Sequence, residues 1–177
     1  MFKEIIETDK RTSLLYDAIN EVIDMLKRAE HMFDLACNNL LGSADNSTEV
    51  LKEDHDINAS ERIVRRMIFE HLTLNPEQDL PTSLSLLSIV HDIERSGDYA
   101  KSLIELSEWA NIDHNNSAHA ASCRTLQILI APLFSQVVEA LRDSNTDAAR
   151  HVMRQHEEIK KQSSMLVEQL VKDDGRS

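Results

Sequence analysis

Apolar residues along the chain recur at alternating steps of four and three, the signature of helices that bury one face. Leu15, Ile19, Val22, Leu26, Ala29, Phe33, Ala36 and Leu40 follow it without a break. They predict a helix from about Thr12 to Leu41, closed by Gly42, a residue suited to a left-handed cap. Asn46 with Glu49 three positions on offers a capping box for a second helix over Ser47 to Leu74. The segment N-P-E-Q-D-L-P then turns the chain, with Pro76 setting the stop and Pro81 the restart. A third helix is expected from about Leu80 to Ala110, before the polar stretch N-I-D-H-N-N-S. A fourth covers about Ser117 to Arg142, where Pro132 predicts a kink or a late start. Ser144 with Asp147 resembles a capping box for a fifth, about Asn145 to Lys172, and the closing D-D-G-R-S should fray. With only 3 Gly and 3 Pro in 177 residues, the chain reads as one all-α domain, an antiparallel helical bundle of about five helices.

Charge narrows the partners. Nineteen basic against 31 acidic residues give a formal net charge of -12, which disfavours nucleic acid, because neutralising phosphates takes clustered Lys and Arg. Cations or a basic protein surface suit it better. Cys37 and Cys123 lie far apart, with no C-x-x-C spacing and no basic flank, so both are expected reduced and buried. The N-terminus M-F-K-E-I-I-E-T-D-K lacks the apolar core of a signal peptide, and no uninterrupted run of about 18 apolar residues is present. The expectation is a soluble, cytoplasmic protein without membrane insertion.

A weak internal echo is present. Asp45 to Ile57 overlays Asp147 to Ile159 at a constant offset of 102, matching Val50 to Val152. Helices four and five thus repeat helices one and two, while nothing after them repeats helix three. The division expected is a three-helix unit over 12–112 and a two-helix partial unit over 117–172. His156 stands where the first copy has Asp54, and Lys160 where it has Asn58, so any site on the second copy is degraded.

The chemistry concentrates in the first copy. Helix two has a packing seam of Val50, Asp54, Ile57, Glu61, Val64, Ile68 and Leu72, with Asn58 beside it. Helix three has the seam Leu86, Val90, Ile93, Gly97, Ala100 and Ile104, bordered by Leu87, His91, Glu94, Asp98 and Lys101. Counted from a turn near Glu77, Glu61 matches Glu94 and Asp54 matches Asp98. At about 1.5 Å rise per residue each pair is level to within roughly 3 Å in an antiparallel hairpin. Converging carboxylates resist desolvation unless they are protonated, paired with Arg or Lys, or bound to a cation. Oxygen donors suit iron, manganese, magnesium or calcium, and His91 tilts the set toward iron, zinc or manganese. Salt bridges to Arg62, Arg65, Arg66, Arg95 and Lys101 are the competing outcome. Gly97 fits either close helix approach or access of a ligand to the backbone.

The stretches E-D-H-D-I-N-A-S-E-R, L-N-P-E-Q-D-L-P and S-I-V-H-D-I-E-R-S-G-D-Y-A resemble the PhoU family of phosphate-uptake regulators. The resemblance covers about Tyr16 to Leu106, with I-E-R-S-G-D-Y-A its most specific element. It implies three-helix bundles, usually in tandem, and acidic motifs that bind multinuclear iron or zinc clusters in some members. Carried over by position, Glu94 and Asp98 complete one motif, and Asp54 with Asn58 fills the other with an amide in place of its last carboxylate. The candidate metal set is therefore Asp54, Asn58, Glu61, His91, Glu94 and Asp98. The resemblance also implies a non-enzymatic regulator that works through a phosphate transporter or its sensor kinase. A truncated second bundle would expose an apolar face, for which homodimer formation is one remedy.

Two other readings stay open. A ferritin-like oxidase or metal store needs Glu-x-x-His on two helices, and the nearest spacing here is the reversed His91 to Glu94. A metal-free helical adaptor needs only that the acids pair with arginines. Nucleophile motifs and Gly-rich phosphate loops are missing from the sequence. The histidines other than His91 are expected as surface or capping residues, and Trp109 and Tyr99 as packing anchors.

Overall fold

The computed structural model describes residues 14–42, 45–74, 79–109 and 119–174. Five helices follow one another: α1 (Leu14–Leu40), α2 (Ser47–Leu74), α3 (Leu80–Trp109), α4 (Ala120–Arg142) and α5 (Thr146–Asp174). No strand occurs among the described residues, as the all-α reading requires. The helices α1, α2 and α3 pack mutually, α4 packs on α1, and α5 packs on α4.

Because α1 touches three neighbours, it buries more than one narrow stripe. Ala18, Met25, Met32 and Cys37 are buried beside the expected Leu15, Ile19, Val22, Leu26, Ala29 and Ala36. The expected seams of the other two helices close on it. Val50, Ile57, Val64 and Ile68 from α2, and Leu86, Val90, Ile93, Ala100 and Ile104 from α3, join one core. Gly97 faces that core: a Cβ there would meet Ile57 Cδ1 at 3.5 Å and Met32 Sδ at 3.6 Å. These are ordinary van der Waals distances, so the packing leaves room for a methyl here. Gly42 ends α1 in the left-handed region (φ 71°), as its position predicts.

The caps differ from expectation in detail. Asn46 does not cap α2 with its side chain; its amide donates to the Leu35 carbonyl of α1 at 3.2 Å. Glu49 turns to His31 at 3.1 Å. Asp45 substitutes, accepting from the Ser47 hydroxyl at 2.6 Å and the Ser47 amide at 3.2 Å, bonds that hold its carboxyl below the ordinary range. At the second turn Asn145, not Ser144, is the cap: its Oδ1 accepts from the amides of Asp147 and Ala148, each at 3.1 Å. Ser144 is occupied differently, sitting left-handed (φ 50°) where the chain leaves α4. Its position at the end of one helix excludes it from opening the next.

Pro132 neither delays nor interrupts α4, which runs unbroken from Ala120. α4 is also the one described helix long and apolar enough, by length and composition, to cross a membrane. Ser, Thr, Gln and Arg residues break its apolar run, so no uninterrupted apolar stretch marks it in the sequence. In this fold one side of α4 lies on α1, with Phe33 and Phe134 ring centroids 5.9 Å apart, and another on α5. The hairpin of α4 and α5 is thinly packed: its buried apolar residues are Ala120, Ile159 and Leu166. Ile159 is the echo of buried Ile57 at the offset of 102, and Leu166 stands at the same offset from Val64.

Cys37 is buried and Cys123 half-buried, both as free thiols. Two aromatic and histidine expectations change. Tyr99 is exposed, not a packing anchor: it lies under the Arg95 guanidinium of its own helix, 5.7 Å from the ring centre, and its hydroxyl accepts from Arg95 at 2.7 Å. His71 is buried at the end of α2, with Asp79 at 3.7 Å, because the start of α3 folds over it. The Trp109 side chain and His114 lie outside the described residues.

Candidate functional site

The carboxylates of α2 and α3 stand on the edges of their seams, so burying the seams draws them together. At one level Glu61 of α2 and Glu94 of α3 flank His91, whose Nδ1 is 3.9 Å from Glu61 Oε1 and 3.7 Å from Glu94 Oε2. Two turns away Lys101 Nζ stands 3.4 Å from Asp54 Oδ2 and 3.9 Å from Asp98 Oδ1. The pairing is the one the turn count predicts, Glu61 with Glu94 and Asp54 with Asp98. The side chains of Asp54, Glu61 and Glu94 are only 15%, 17% and 18% exposed, while Asp98 and His91 are half open to water.

Electrostatics register the crowding. Burial, then the neighbouring charges of Asp98, Glu61 and Asp54, push the Glu94 carboxyl above its ordinary range, and His91 offsets this in part. Glu61 is already held by Arg65, which donates from Nε at 2.9 Å and approaches through its second nitrogen at 2.8 Å. Of the other flanking cations, Arg66 pairs with Glu70 at 2.7 Å and Arg95 with Tyr99, so neither serves the seam. Asn58 does not join the carboxylates: its amide donates to the Asp54 backbone carbonyl at 3.0 Å.

These positions test the implied metal cluster. Among the described residues no three or more His, Cys, Asp or Glu side chains stand in a metal-holding arrangement. A multinuclear cluster does not fit the seam as it stands, because Lys101 occupies the aspartate end and Asn58 is turned to its own backbone. The glutamate end offers two carboxylates and an imidazole, which suit a cation by donor type but not in this arrangement, with Arg65 already on Glu61.

A second feature had no signal in the sequence. Between α3, α4 and α5 runs an apolar groove of about 760 Å³, floored by Leu26, Ile93 and Phe134 and walled by Val152 and Met153 of α5, with His156 also on its lining. Its residues come from four helices, and no periodicity within one helix announces such a juncture.

The fold and the seam define a class: an all-α bundle whose second and third helices share a half-buried row of carboxylates. Residues 22–107, which span most of α1 to α3, match the family model of the PhoU domain. The match covers just under half of the chain, and over that stretch the protein is similar to a PhoU domain. No curated protein and no solved structure matches the chain.

Proposed function

We propose that this protein is a non-enzymatic regulator of phosphate transport that acts on a phosphate transporter or its sensor kinase from the cytoplasmic side, as a homodimer. The single observation that carries the reading is the match to the PhoU domain over residues 22–107, a stretch that includes all six candidate residues. A domain of this kind points to phosphate homeostasis, and the net charge of -12 favours a basic partner surface over an acidic one. Deleting the gene should alter phosphate uptake or the phosphate-starvation response. If both stay unchanged, the regulatory reading fails.

Within this reading the seam binds a cation, with Glu61, His91 and Glu94 the residues that would hold iron or zinc. A bound ion would supply positive charge to carboxylates that burial has made costly. The opposing reading is a metal-free adaptor, favoured by Arg65 on Glu61 and Lys101 between the aspartates. Elemental analysis of protein purified without an affinity tag separates the two. The metal reading expects a stoichiometric ion that Glu94→Ala removes; a parent protein free of metal leaves the adaptor.

A further inference from the structure

The aspartate end of the seam has a resident cation of its own. Asp54 and Asp98 sit on different helices, and the Asp54 carboxylate is nearly closed off from water. Asp98 is half open to water, so it is Asp54 that most needs positive charge beside it. Lys101, one turn after Asp98 on α3 and 47 positions from Asp54, supplies it: a single ammonium lies 3.4 Å from one carboxylate and 3.9 Å from the other. Lysine suits this place because its charge is compact and its three donors can address two acceptors at once. The remaining polar group here, Asn58, is committed to the backbone of α2.

We propose that Lys101 stands in for a metal ion at the aspartate end, closing the seam between α2 and α3 without one and excluding a cluster that would span both ends. This deepens the metal reading of the same seam. The ammonium of Lys101 couples the two helices through Asp54 and Asp98, and a divalent cation enters there only if the lysine leaves. Lys101→Met keeps the alkyl stem and removes the charge, and a side chain 35% exposed tolerates the change without loss of fold.

The test compares the parent, Lys101→Met, Asp54→Asn and the double variant, first as metal-free protein in chelator. Lys101→Met should melt roughly 2–4 °C below the parent, and Asp54→Asn added to it should recover most of that loss. Mn²⁺ titration followed by calorimetry should then show one more site in Lys101→Met than in the parent. Unchanged melting, a loss that Asp54→Asn does not recover, or no added Mn²⁺ site overturns the proposal. A parent that binds no Mn²⁺ at Glu61 and Glu94 sinks the metal reading above but leaves Lys101 judged by the melting data and by the site its removal opens.

Discussion

At the level of single residues, environment decides what a given side chain does. Burial, with carboxylate neighbours adding to it, pushes the Glu94 carboxyl above its ordinary range. In the metal-free protein the folded state therefore keeps this proton to higher pH than the unfolded chain does. Its penalty is absent below the ordinary value of 4.5 and grows as pH rises through the raised one. Glu94→Gln should stabilise the metal-free protein at pH 7, with the gain vanishing near pH 4; urea melts across that range measure it. The thiols offer a second check. Burial, with Asp34 and Cys123 adding to it, pushes the Cys37 thiol up to about 12, while burial raises Cys123 less. An aromatic disulfide reagent at pH 8 should label Cys123 first, and equal rates would contradict the burial described. The seam acids were legible residue by residue because their spacing repeats with the helix. His71 and Tyr99 were not, since exposure depends on which neighbouring element lies over the side chain.

Among the elements, helix existence and length came out of the periodicity, but cap identity did not. Asn145 and Ser144 are both good capping residues, and the left-handed turn after α4 assigns the role to Asn145. Asn145→Ala should cost about 1 kcal/mol in urea unfolding, and Ser144→Ala less. Gly97 gives a prediction of the opposite sign. The contacts awaiting a Cβ are ordinary van der Waals distances, and alanine is favoured in a helix by about 1 kcal/mol. Gly97→Ala should raise the urea midpoint; a fall would mean that α3 must approach α1 and α2 more closely than this packing allows.

Across the whole molecule, stability is unevenly distributed. The core joins α1, α2 and α3, whereas α4 and α5 contribute three buried apolar residues and border an open groove. Hydrogen exchange should find α5 the least protected of the five helices and α1 the most, because local opening follows the number of buried apolar contacts. Equal protection throughout would mean that the hairpin is held by more than its packing on α1. The echo at an offset of 102 carried no information on where α4 and α5 dock. By itself the sequence determined the five helices, their apolar faces and the level at which Glu61 meets Glu94 and Asp54 meets Asp98, because rise and period are fixed by the backbone. Only the tertiary structure decided that Lys101 reaches across to Asp54 of α2 and that a groove opens beside α5. Those outcomes depend on which side chains share a space, and helical periodicity does not encode that.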